Sequence, residues 1–203
     1  ADLRNGMDAE IVIGQPDFVT NSAGTTQSKI SATAAATTDG RRFIVSDGGN
    51  NRVLIFNTIP TRTFQPADVV VGQGNFSSSG TGLSADRFDA PRLPYSDGKR
   101  LFVPDLNNNR VLIWNNIPTS NGAPADVVVG QTNFTSRDFG TGLNQLSGPT
   151  GVFSDGKRLF VADFANNRVL IWNSIPTTNG VSADIVLGDQ GGTAGTSRTL
   201  MTS

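Results

Sequence analysis

Apolar residues along this chain fall in short continuous runs and almost nowhere at helical spacing. Val69-Val70-Val71, Val111-Leu112-Ile113-Trp114 and Val169-Leu170-Ile171-Trp172 are such runs, and Gly, Asn, Ser, Thr and Pro fill the intervals. Short apolar runs bounded by turn residues predict strands. No window sustains a 3.6-residue period long enough for a helix. The runs also fail to alternate with polar residues, so both faces of each strand are apolar. A sheet built from them must be covered on both sides.

The runs recur at a constant step. Gly14, Gly72, Gly130 and Gly188 are each 58 residues apart, and Asp39-Gly40, Asp97-Gly98 and Asp155-Gly156 keep the same step. Arg52, Arg110 and Arg168 do so too, as do Pro60, Pro118 and Pro176. A fixed period without insertions is one structural unit copied in tandem. The pattern predicts repeats at 15–72, 73–130 and 131–188, an extra outer strand at 9–14, and a tail at 189–203. In the third unit, four strands are expected at 150–154, 158–162, 168–173 and 183–187. Asp155-Gly156 turns the chain between the first two, because glycine accepts the positive φ of a tight hairpin. Asp163 to Asn167 turns it between the next two. The first strand of the first unit, Thr33 to Thr38, is an Ala/Thr version without bulk.

Four-stranded units apolar on both faces predict an all-β chain: a β-propeller of four-stranded antiparallel blades, with three blades here. Residues 149–172, from Pro149-Thr-Gly-Val through Ser-Asp-Gly-Lys-Arg and Val-Ala-Asp163 to Asn167-Arg-Val-Leu-Ile-Trp172, resemble the NHL repeat. The second unit matches from Asp97 to Trp114 and the first from Asp39 to Phe56. The resemblance implies a propeller, commonly six-bladed, and no single function. Three blades do not close a ring. The chain is expected to be half of a six-bladed ring or a fragment of a larger propeller. Blades 1 and 3 should each leave an apolar face open, which favours self-association into a homodimer.

Composition narrows the chemistry. The 203 residues contain no Cys and no His, which excludes thiol nucleophiles, disulfides, imidazole bases and His- or Cys-ligated metals. Sixteen basic residues against seventeen acidic ones give a net charge of −1 and no basic face for nucleic acid. No apolar stretch approaches the roughly 20 residues of a membrane helix. No catalytic residue, metal or cofactor is expected. The chain reads as a non-catalytic NHL-type binding or scaffold module, not an enzyme, acting through a protein partner or its own copies. The alternative is a propeller-type enzyme, lyase or lactonase-like, whose active site is incomplete in this chain. Freedom from thiols and few lysines suit an extracellular or periplasmic protein.

Candidate binding residues fall into two groups. Asp47/Arg52, Asp105/Arg110 and Asp163/Arg168 bracket the turn between second and third strands in every unit. They suit either a ring of alternating charge for a polar ligand or a hairpin clamp, and their regularity favours the clamp. The neighbouring Asn runs could offer oxygens to Ca²⁺, though one Asp per turn is too few carboxylates. The second group breaks the repeat: Arg87, Arg92, Tyr95 (the only tyrosine) and Arg137 lie on connections, where binding residues gather. Trp114 and Trp172 could serve as sugar or peptide platforms, but aromatics at one fixed strand position favour packing between blades. Asn75-Phe76-Ser77 and Asn133-Phe134-Thr135 fit both a glycosylation pattern and a loop anchored by its Phe.

Overall fold

The computed structural model of the chain describes residues 5–188. Three four-stranded antiparallel sheets follow one another in sequence. Blade 1 holds β1 (Thr33–Thr38), β2 (Phe43–Asp47), β3 (Arg52–Phe56) and β4 (Val69–Val71). Blade 2 holds β5 (Tyr95–Ser96), β6 (Leu101–Asp105), β7 (Arg110–Trp114) and β8 (Val127–Val129). Blade 3 holds β9 (Pro149–Ser154), β10 (Leu159–Asp163), β11 (Arg168–Trp172) and β12 (Ile185–Gly188). Strands pair in order within each blade, and β1, β5 and β9 approach one another on the inner side of the arc. The fold is the three-bladed, all-β arrangement expected from the repeat. The tail at 189–203 lies outside the described residues.

Blades stack through the two apolar faces of each sheet. Ile44, Val53, Ile55 and Val71 of blade 1 pack against Leu101, Val103, Leu112 and Trp114 of blade 2. The other face of blade 2, with Phe102, Val111, Ile113 and Val129, packs against Val152, Val161, Leu170 and Trp172. Because period-2 side chains leave on opposite sides, a continuous apolar run is what a strand between two neighbours needs.

Each turn between second and third strands is a single 3₁₀ turn closed by an Asn in the left-handed region. Asn51, Asn109 and Asn167 have φ of 50°, 52° and 52°. Asn tolerates this conformation better than other side-chain-bearing residues, which accounts for its recurrence there. β5 is short because Pro94 lacks an N–H and Leu93 turns its own to Thr150 O of the next blade at 3.3 Å.

Two expectations need correction. Residues 9–14 form no strand; only Gly14 makes a bridge, to Lys29. A fourth strand pairs with the third strand of its own blade, and no blade precedes blade 1 among the described residues. Blade 1 also does not leave its first face open. Val45, Leu54, Phe56 and Val70 are buried beneath Ile13 and Ile30 of the N-terminal segment. Among the described residues, blade 3 does leave a face open. Phe160, Val169 and Ile185 are half-buried and Leu187 is 50% exposed, whereas their counterparts Phe102, Val111, Val127 and Val129 in blade 2 are buried.

The Asn-Gly loops between third and fourth strands reach backwards to the preceding blade. Asn121 Oδ1 accepts from Val70 N at 3.0 Å, and Gly122 N donates to Val70 O at 3.0 Å. Asn179 and Gly180 hold Val128 in the same way, at 3.0 and 3.1 Å. In blade 1, Thr63 and Phe64 take these roles. Phe64 N donates to Val12 O at 2.9 Å, and Val12 N donates to Thr63 Oγ1 at 3.4 Å.

Candidate functional site

The Asp–Arg pairs sit at the same end of each blade, and the structure spends them on the fold. Asp105 Oδ1 accepts from Asp89 N at 2.7 Å; its Oδ2 accepts from Asn108 Nδ2 and Arg110 Nε, both at 2.8 Å. Arg110 then donates to the carbonyls of Ser84 and Arg87 on one connection and Phe134 on the next. Asp47/Arg52 repeats the arrangement, and Asp163/Arg168 repeats its carboxylate side, with Arg168 donating to Thr141, Gly142 and Gln145 O of one connection. All six residues are buried, so they are clamps and present no ring of charge to a ligand. Burial pushes the Asp105 carboxyl up to about 6, against the pull of Arg110 and its other donors. In each turn the Asn amide nitrogen faces the carboxylate, which is the wrong end for a cation. Among the described residues, no three His, Cys, Asp or Glu side chains converge.

The tryptophans are packing residues. Trp114 and Trp172 are buried, and each Nε1 donates to a carbonyl of its own blade's loop, Ala123 O at 3.0 Å and Val181 O at 2.9 Å. This is the packing between blades that their fixed strand position favoured. Phe76 and Phe134 anchor their loops from within, half-buried, with carbonyls held by Arg52 and Arg110.

The residues that break the repeat do not gather in one place. Arg87 donates to Gln73 Oε1 at 2.9 Å and braces its own loop. Arg92 is half-buried at the start of the inner side of blade 2. Tyr95 lies at the opposite end of the blade from the clamps. Its hydroxyl donates to Ser154 O at 2.7 Å, and its ring lies 5.0 Å from Phe153 and 6.1 Å from Phe102. Burial, then the charges of Asp97 and Asp155, raise its phenol above the ordinary value. Tyr95 thus ties blade 2 to blade 3.

Arg137 lines an open cleft. The cleft, of about 350 Å³, is bounded by Asn107 and Asn109 from the β6–β7 turn and by Arg137, Asp138 and Phe139 from the loop into blade 3. Asn109 Nδ2 donates to Arg137 O at 3.0 Å and fixes the loop backbone, leaving the Arg137 guanidinium in solvent. Phe139 is 75% exposed. A cation, a carboxylate, two amides and a bare aromatic ring at one mouth can hold a polar ligand with an apolar face. Sequence reasoning missed Phe139. The available signal was its position, since Thr81 stands there in the preceding connection.

No protein-family model matches the chain, and its NHL-like residues stand as a resemblance. No curated protein matches it. Among solved structures it is similar to a crystal structure from Bacteroides fragilis NCTC 9343 described as a "putative 6-phosphogluconolactonase". The identity is 17% and the TM-score 0.48, over 83% of this chain and 45% of that one. This chain thus spans under half the length of that protein. The expectation that the chain is not an enzyme finds no support in this comparison, since the similar protein carries an enzyme's description. At that identity the likeness concerns fold, and no residue role passes across.

Proposed function

We propose that this chain contributes three consecutive blades to a closed β-propeller ring, and that the ring is the functional unit. One observation carries the reading: the last blade presents an apolar face of the kind that its two predecessors bury completely. Phe160, Val169, Ile185 and Leu187 lie where Phe102, Val111, Val127 and Val129 meet the next blade. Covering such a face removes a few hundred Å² of apolar surface from water, at about 25 cal/mol per Å². A second copy of this chain is the partner that carries matching blades.

The chemistry proposed for the ring is lactonase-like, after the description of the similar Bacteroides protein. The inner strands β1, β5 and β9 face a common axis, so reacting groups from separate blades converge only when the ring is complete. The open cleft at Asn107, Arg137, Asp138 and Phe139 offers a sugar ring an amide, one charge of each sign and an aromatic face at the loop end. The test is sedimentation of the chain across concentrations, followed by a lactone-hydrolysis assay of each species with and without added divalent cation. A larger species that hydrolyses sugar lactones supports the reading. A single 21.3 kDa species at every concentration removes the self-assembled ring, and an inactive ring removes the lactonase assignment.

A further inference from the structure

The N-terminal segment occupies the place of an outer strand of a blade this chain does not contain. Val12 is held by the Thr63–Phe64 turn as Val70 is held by Asn121–Gly122 and Val128 by Asn179–Gly180. Gly14 lies against Ile30 as Gly72 lies against Phe88 and Gly130 against Leu146. Gln15 Nε2 donates to Ser22 O at 3.1 Å, matching Gln73 to Gly80 O and Gln131 to Asp138 O, both at 2.8 Å. Ile13 and Ile30 correspond to Val71 and Phe88, and to Val129 and Leu146, which all sit in cores between blades. The segment is thus one side of a seam, already assembled on blade 1.

One bond of the pattern has no partner. Gln73 Nε2 also donates to Asn51 O at 3.0 Å, and Gln131 Nε2 to Asn109 O at 2.9 Å. Both acceptors are the left-handed Asn that closes the preceding blade's turn. Gln15 Nε2 makes no such bond among the described residues. The corresponding acceptor at the other end of the chain is Asn167 O. In sequence, the residue that follows blade 3's own fourth strand at the Gln position is Asp189, which has no amide to donate. β12 is also the most exposed outer strand, although it pairs with β11 over four residues. None of its four residues is buried, whereas β4 and β8 are buried throughout.

We infer that two copies of this chain join by strand exchange: residues 10–14 of one copy replace β12 on β11 of the other, and Gln15 donates to Asn167 O across the seam. The inference rests on the ring reading and resolves its surplus strand. With four fourth-type segments and three blades per chain, a two-chain ring has one too many per copy. The chemistry of position 15 against position 189 decides which one is set aside.

The chain lacks cysteine, so two pairs introduced into the full chain report the arrangement. In β11, Val169 faces Leu187; after exchange it faces Ile13. Antiparallel partners lie close enough for a disulfide. Ile13→Cys with Val169→Cys is expected to give a covalent dimer on oxidation. Val169→Cys with Leu187→Cys should give much less in-chain bridge once the dimer has formed. Gln15→Leu, at a half-buried position, should raise the dimer's dissociation constant about tenfold, since its bond to Ser22 O is lost from monomer and dimer alike and only the bond to Asn167 O is lost from the dimer alone. A wild-type dimer in which only the 169/187 pair closes, with Gln15→Leu silent, overturns the exchange and leaves the ring standing. A wild-type monomer at all concentrations overturns both.

Discussion

Arg110 Nε lies 2.8 Å from Asp105 Oδ2, and neither side chain has exposed surface. The pair is costly to bury and costlier to break. Removing one partner leaves the other charge uncompensated, a loss of about 3–5 kcal/mol. Arg110→Leu is expected to destabilise the fold by that amount in urea denaturation, because three loop carbonyls lose their donors as well. Arg137→Ala, in the open cleft, should fall within about 0.5 kcal/mol of wild type. Equal effects from the two would refute the clamp assignment.

Trp172 fills the seam between blades 2 and 3 and is 1% exposed. Trp172→Ala should cost about 3–5 kcal/mol. Trp172→Phe keeps most of the ring but loses the bond to Val181 O, and should cost less than half as much. A thermal melt of both variants checks the order.

Phe64 has a φ of 58°, where Gly122 and Gly180 stand in the other units. The left-handed region costs a bulky residue about 1–2 kcal/mol. Phe64→Gly should therefore be neutral or raise stability by up to about 1 kcal/mol, despite the side chain lost. Gly122→Phe should do the opposite, because its Cβ would come 3.1 Å from Gly74 Cα. Denaturant midpoints of the two variants, compared with wild type, decide this.

Acid should loosen the Asp-Gly turns. Asp155 accepts from Arg158 N at 2.7 Å and from Lys157 N at 3.0 Å, and these bonds hold its carboxyl down to about 2. A carboxyl with a lowered folded pKa stabilises above its unfolded value near 3.8 and loses that contribution as pH falls towards 2. The gap in urea midpoint between wild type and Asp155→Asn should be widest above pH 5 and should close towards pH 2. Asp105 runs the other way. Its raised pKa favours the fold below about 3.8, and that contribution fades as pH rises through about 6. A gap that widened on acidification would contradict the Asp155 assignment.

Strand positions and turn types were legible because they are local. Asp155-Gly156 and Asn167 carry their conformations in two or three residues, and the apolar runs announce burial on both faces. The clamp was legible in outline, since Asp163 and Arg168 face each other in adjacent strands. The staple was not. Asn121-Gly122 reads as an ordinary turn, and its partner Val70 lies 51 residues away in sequence. Phe139 was lost for a related reason: one aromatic in a Ser/Thr loop has no period to mark it, and only the folded turn brings Asn107 beside it. Residues 9–14 were misread as a strand because the sequence shows a strand's pattern without showing that its pairing edge is missing.

The backward staple gives the molecule a mechanical polarity. Asn179–Gly180 grips Val128 and Asn121–Gly122 grips Val70, so each unit is latched by its successor. Tension on the C-terminal end should peel blade 3 first, which opens the latch on blade 2 and leaves an end of the same design. Extension under force would then show evenly spaced steps of about 58 residues, roughly 190–210 Å of extended chain each, in place of one abrupt rupture. The same self-similar end implies that another 58-residue unit, spliced after Gly188, would find its latch site at Val186 already waiting.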